Sequence, residues 1–170
     1  KASNTGSNDN FGNAIALSGD GNTLAVAATG EKSGAKGVNG DQTDNLVTSA
    51  GAVYLYRFDT NNTSWSQQAY AKASNTGLNH LFGSSVSLNA DGSILVVGAT
   101  GEDSNSTGIN GDSSDTPAPS AGAAHLFRFY AGSSSQQSYI KASNTEAIYG
   151  FGMPVVLSPV GHHLAVCSPA

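Results

Sequence analysis

The chain spells KASNT three times, at residues 1–5, 72–76 and 141–145, and each is followed by Phe-Gly, at Phe11-Gly12, Phe82-Gly83 and Phe151-Gly152. The offsets of 71 and 69 residues set a fixed period, and a fixed period decides an architecture before any single residue does. The register holds outward from that anchor. Ile15 and Leu17 fall against Val86 and Leu88, then against Val155 and Leu157. Leu24-Ala25-Val26 falls against Leu95-Val96-Val97 and Leu164-Ala165-Val166. GAVYLYRF at 51–58 falls against GAAHLFRF at 122–129, and Gln67-Gln68 against Gln136-Gln137, elements that the third copy does not reach. The chain therefore divides into one repeat over 1–71, a second over 72–140 and a partial third over 141–170 that holds two strands.

Each complete copy reads as four short strands rich in β-branched and aromatic residues and separated by turn residues. In the first copy these are expected at about 11–17, 23–28, 51–58 and 64–71. Ile15 and Leu17 turn inward, and GDGN at 19–22 suits a tight hairpin, as Asn89-Ala90-Asp91-Gly92 does in the second copy. In the third strand Val53 and Leu55 face one side while Tyr54, Tyr56 and Phe58 face the other, so both sides are expected to be covered. Four antiparallel strands per copy, stacked face to face, make a propeller blade, and the fold is read as all-β. The repeat puts Phe11, Phe82 and Phe151 in equivalent buried places.

Phe-Gly, a small-residue strand ending Val97-Gly98-Ala99-Thr100, and Gly51-Ala52-Val53-Tyr54 together resemble the FG-GAP repeat. The resemblance spans the chain. It implies blades of the kind that build the propeller of integrin α subunits, usually about seven to a ring, and an extracellular or cell-surface setting. In integrin-like repeats the first hairpin often carries a calcium loop. Here Asp20-Gly21 and Asp91-Gly92 are what remains of it, and the third copy reads Pro159-Val160-Gly161-His162. A hard cation takes about six to eight oxygens, and these turns offer one carboxylate each, so calcium is not expected there.

Composition narrows the function further. Twelve acidic residues against seven basic give a net charge of −5, which repels a phosphate backbone and argues against nucleic acid. Apolar runs are strand-sized, well short of the roughly twenty residues that span a bilayer as a helix, so no membrane insertion is expected. A single cysteine, Cys167, allows no internal disulfide, and its alignment with Ala27 and Gly98 marks a small buried slot.

The candidate chemistry lies in two polar loops, 30–50 and 101–121, which hold seven of the twelve acidic residues. Loops of this length invite a functional reading. In the second, Asp103, Asn105 and Thr107 stand at the first, third and fifth positions before Gly108, as in a calcium loop, with Asp112 and Asp115 able to complete the set. Asp103, Asn105 and Asp112 are therefore the candidate metal ligands, and calcium the one cofactor the loop would suit. Ser114 fills the twelfth position in place of Glu, and the first loop has Lys32 and Lys36 where Asp103 and Thr107 lie. The competing reading is a solvated loop held by its own Asx turns. Sequons at Asn61, Asn62 and Asn105 are candidate glycosylation sites.

No Gly-x-Ser-x-Gly elbow occurs, and no copy gathers Ser, His and carboxylate at recurring positions, so no catalytic residue is expected. His80 and His125 are isolated, and His162-His163 would point to opposite faces of a strand. The expected function is an extracellular structural or adhesive β-propeller-type repeat protein, not an enzyme, that binds or assembles through loops and chain ends. A lectin-like glycan-binding module and a propeller accessory of a secreted hydrolase are the alternatives. Both ends fall inside the repeat, so the partners expected are further repeats of a longer chain, or other copies stacked head to tail.

Overall fold

The structure, a computed structural model, describes residues 1–130 and 133–169, and those residues contain ten strands and no helix. β1 (Phe11–Leu17), β2 (Thr23–Ala28), β3 (Ala52–Asp59) and β4 (Ser64–Ala71) pair in chain order as one antiparallel sheet. β5 (Phe82–Leu88), β6 (Ile94–Ala99), β7 (Ala123–Tyr130) and β8 (Ser133–Ile140) repeat it, and β9 (Val155–Leu157) with β10 (Leu164–Val166) begins it again. These are propeller blades, two whole and one partial.

The Phe-Gly dipeptide has a mechanical reason. Register shifts between Phe11 and Ile15, and again between Phe82 and Ser85, where Gly12 and Gly83 hold φ of +97° and +99°. A glycine in this conformation opens a β-bulge that an L side chain would strain. The bulge turns the Phe ring toward the third strand of its own blade: Phe82 meets His125 and Phe127 edge-on, and Phe11 meets Tyr54 and Tyr56 in the same way.

Each blade carries a bulky face and a small face, and stacking puts one on the other. Leu88, Leu95, Val97, Phe82 and Phe127 of the second blade pack on Ala25, Ala27, Val53, Leu55, Ala69 and Ala71 of the first. The next interface sets Val155 and Leu157 against Ile94, Val96 and Ala124, with Ser85 and Ser87 hydroxyls accepting from the Val155 and Leu157 amides at 2.9 and 3.0 Å. The hairpin turns join in the same sense. Asp20 N donates to Ala90 O, and Ala90 N donates to Pro159 O, each at 2.8 Å. Gly51 and Gly122, at φ +82° and +83°, lie so close to the next blade's Phe that an added Cβ would fall 2.1 or 2.2 Å from its carbonyl oxygen.

This asymmetry corrects three expectations. Ile15 and Leu17 are 68% and 59% exposed and Phe11 is 39% exposed, because they belong to the face that a preceding blade covers. Phe82 alone of the three phenylalanines is fully buried; Phe151 is half-buried, with no third strand over its ring. Cys167 is exposed although its counterparts Ala27 and Gly98 are buried by the blade that follows them. Along β3, Val53, Tyr54 and Leu55 are buried, while Tyr56 and Phe58 are half-buried.

Substituting Phe82 by Ala should therefore cost about 3–5 kcal/mol, the range for a fully buried ring, and Phe11→Ala should cost less than half as much. Urea unfolding of both variants checks this; equal losses at the two sites would mean that stacking does not determine their burial.

Candidate functional site

The KASNT pentapeptide is a clasp between blades. Lys72 Nζ lies 2.7 Å from Glu31 Oε2, and Lys141 Nζ lies 2.7 Å from Glu102 Oε2, all four side chains being essentially inaccessible. The asparagine of the same pentapeptide serves the other side: Asn4 Nδ2 donates to Glu31 Oε1 at 2.9 Å and Asn75 Nδ2 to Glu102 Oε1 at 2.8 Å. The middle KASNT thus reaches back to the preceding copy with its lysine and holds its own copy's glutamate with its asparagine, while the first makes only the asparagine bond and the third only the lysine pair. Lys1, in the same slot, is exposed. Burial presses the Lys72 ammonium pKa down, opposed by the Glu31 carboxylate.

Sequence reasoning used the pentapeptide as a marker and missed this role. The signal was present in a chain poor in charge, where a Lys and a Glu keep fixed places in every complete copy. Removing one partner of a buried pair strands the other charge and costs about 3–5 kcal/mol, whereas replacing both with apolar groups of similar size is often near neutral. Lys72→Met should destabilise by that amount and Lys72→Met/Glu31→Leu by much less, read from denaturant midpoints.

The two long loops share one hydrogen-bond scheme. Ser33 Oγ donates to Asp41 O and accepts from Ala35 N; Ser104 Oγ donates to Asp112 O and accepts from Ser106 N. Asp41 Oδ1 accepts from Thr43 N and Oγ1, and Asp112 Oδ1 from Ser114 N and Oγ, which holds both carboxyls below their ordinary pKa. Asn39 and Asn110 accept from Tyr70 N and Tyr139 N.

The candidate ligands sit within this scheme. Asp103 Oδ1 accepts from Ser120 N at 2.9 Å, Asp112 is committed to Ser114, and the Asn105 side chain is exposed. Among the described residues no three His, Cys, Asp or Glu groups converge as a metal site. The serine and Asp41/Asp112 bonds recur in both loops, but Asp103 to Ser120 has no counterpart in the first, and Asp44 Oδ1 accepts from Gly34 N and Leu46 N where Asp115 Oδ1 is buried without a partner. Added calcium and added chelator should leave protease resistance over 101–121 unchanged; loosening by chelator would contradict this. Asn61 and Asn62 are exposed in the β3–β4 turn, where Asp59 caps both, and Asn105 is exposed in the second loop.

The copies differ at two buried polar positions. Asp9, near Lys32 at 3.5 Å, becomes His80 in the second copy, 4.0 Å from Asp103, so the carboxylate changes sides. Tyr54, whose hydroxyl donates to Asn4 Oδ1 at 2.6 Å, becomes His125. His125 Nε2 and Asn75 Oδ1 are both left buried without a partner. Desolvation pushes the His125 pKa down to about 3 and lowers that of His80 as well. Between the unfolded value of 6.5 and about 3, the unfolded chain binds a proton that folded His125 refuses, so stability falls as pH drops through that window. His125→Tyr should restore the hydroxyl to Asn75, raise stability at neutral pH, and flatten the loss between about pH 6 and pH 5. Thermal midpoints across that range check it.

Two of the open surfaces carry large apolar or aromatic side chains from the first blade. One is the outward face of the first blade, with Phe11, Ile15, Leu17 and Trp65 exposed. The other is a cleft of about 790 Å³ between the first two blades, lined by Tyr56, Arg57 and Gln68 from one and Asp91, Phe129 and Tyr130 from the other.

Residues 65–127 match the family model of the FG-GAP repeat, from the start of β4 through most of β7. That stretch of the chain is an FG-GAP repeat. No curated protein matches the chain.

Proposed function

Starting from an FG-GAP repeat in a stack of β-propeller blades, we propose that this chain is a structural or adhesive module of an extracellular or cell-surface protein, non-catalytic, that engages further repeats or other chains through its terminal faces. The observation that carries this reading is the outward face of the first blade. Phe11, Ile15, Leu17, Tyr56 and Phe58 occupy the slots that, one repeat later, hold Phe82, Val86, Leu88, Phe127 and Phe129 inside an interface. Contiguous exposed apolar surface of this kind marks a contact that something covers. The extracellular setting is supported by the family, whose members include secreted and surface proteins. A non-catalytic role is supported by histidines that lack a nucleophile partner: His125 is buried and held neutral, and His80 has a carboxylate at 4.0 Å.

Sedimentation velocity over a concentration series tests the reading. The chain should associate with itself or with added FG-GAP blades, and Ile15→Asp/Leu17→Asp should abolish association while leaving the unfolding midpoint within about 0.5 kcal/mol of the parent, since these side chains are exposed. A parent chain that is monomeric throughout and ignores added blades would overturn it. A glycan-binding reading is favoured by one feature, the cleft in which Tyr56, Phe129 and Tyr130 are interleaved with Arg57, Gln68 and Asp91. Saturable glycan binding lost on Tyr130→Ala would support that reading instead.

A further inference from the structure

The second copy keeps an acceptor at three positions of the first copy and loses the donors that serve them. In the first copy Asn4 Oδ1 accepts from the Tyr54 hydroxyl at 2.6 Å, and Asp9 Oδ1 lies 3.5 Å from the Lys32 ammonium. Asp44 Oδ1 accepts from Gly34 N at 2.8 Å and from Leu46 N at 3.3 Å. One repeat later the acceptors are Asn75, His80 and Asp115. Among the donors, Tyr54 has become His125, Lys32 has become Asp103, and Leu46 has become Pro117, which has no N–H to offer. Asn75 Oδ1, His80 Nδ1 and Asp115 Oδ1 are all buried without a partner.

These three residues and Asp103 line one pocket of about 770 Å³. His80 is 5% exposed, and desolvation lowers its pKa, so at neutral pH the ring adds no positive charge. Its Nε2 lies 4.0 Å from Asp103 Oδ2, and the tautomer that carries its proton on Nε2 leaves Nδ1 as an acceptor. Glu102, also in the lining, is already engaged by Lys141, Asn75 and Tyr139. Charge changes in the same sense as hydrogen bonding. Asp9, Lys32 and Asp44 set one ammonium between two carboxylates, whereas His80, Asp103 and Asp115 keep two carboxylates and no base. Lys36 of the first loop borders the pocket with an exposed side chain.

We propose that this pocket binds the primary ammonium group of an alkylamine, with Asp103 and Asp115 supplying the charge and Asn75 and His80 the neutral acceptors. An ammonium has three donors and no acceptor, the complement of a pocket whose unpartnered atoms all accept. Asp103, Asp115 and His80 are not gathered as metal ligands are, and the volume is that of a small-molecule site, with room for an alkyl stem. Asp103, with 29% of its side chain exposed, is the carboxylate an incoming amine meets first, and the shielded acceptors are satisfied as it seats. The first copy shows the same chemistry supplied from within: Lys32 Nζ donates to Ser7 O at 2.7 Å beside Asp9. A free diamine and a lysine side chain of another protein both carry the group. The site lies at the KASNT end of the second blade and is independent of the terminal faces discussed above.

The test titrates the full chain, followed by amide NMR shifts, with three probes: Nα-acetyl-lysine methylamide, cadaverine, and the neutral Nε-acetylated form of the first. Saturable shifts centred on residues 74–80, 101–103 and 113–120 are expected with the amines and not with the acetylated form. Tighter binding of cadaverine identifies a free amine as the ligand, and tighter binding of the lysine derivative a protein side chain. Asp103→Asn and Asp115→Asn keep the side-chain shape and should each weaken binding about tenfold, the worth of a hydrogen bond to a charged group. Asp91→Asn, at the opposite end of the strands, should leave it unchanged. Asp103→Lys recreates the first copy's internal ammonium and should abolish binding. Absence of saturable shifts, an equal response to the acetylated form, or affinity indifferent to both Asp103 variants would overturn the proposal.

Discussion

The structure rests on a bulky sheet face seated on a small one. Leu95, Val97, Phe82 and Phe127 descend onto Ala25, Ala27, Ala69 and Ala71, and this contact is the centre of the largest buried cluster in the chain. A blade by itself has two apolar faces and can bury neither. Each blade therefore depends on a neighbour, and stability in such an array is a property of interfaces as much as of repeats. Phe82 shows this directly: its sheet supplies one wall of its surroundings and the preceding blade supplies the other.

The polar network serves the same contact. In a chain with few charges, a Lys and a Glu meet behind every completed interface, and the asparagine between them ties the glutamate to its own copy. Burying an ion pair gains little net stability compared with an apolar pair, but loss of one partner leaves a lysine or glutamate buried alone. The turn-to-turn bonds from Asp20 to Ala90 to Pro159 join successive blades at the opposite end of the strands.

Strand positions were legible because period-two alternation and Gly/Asn/Asp turns are local signals, and strands fell within a residue of their expected ends. Equivalence of slots was legible too, since the repeat aligns them. Burial was not, because a slot is buried only if the neighbour on the relevant side is present: Ile15 and Val86 share a slot yet differ in exposure for that reason. The Lys72–Glu31 clasp, spanning 41 residues, and the exchange of Asp9–Lys32 for His80–Asp103 were invisible for a related cause. They are contacts between segments that only the strand pairing within a blade brings together. In the second loop, which the sequence likens to a calcium loop, Asp103 accepts from the Ser120 amide and Asp112 from the Ser114 amide and hydroxyl.

The most direct test compares one repeat slot in two copies. Ala27 is fully buried under the second blade, and Cys167 occupies the same slot with nothing over it. If stacking of bulky on small faces governs the fold, urea unfolding should show Ala27→Leu destabilised by about 1–3 kcal/mol through overpacking, and Cys167→Leu within about 0.5 kcal/mol of the parent chain. Equal effects of the two substitutions would contradict the account.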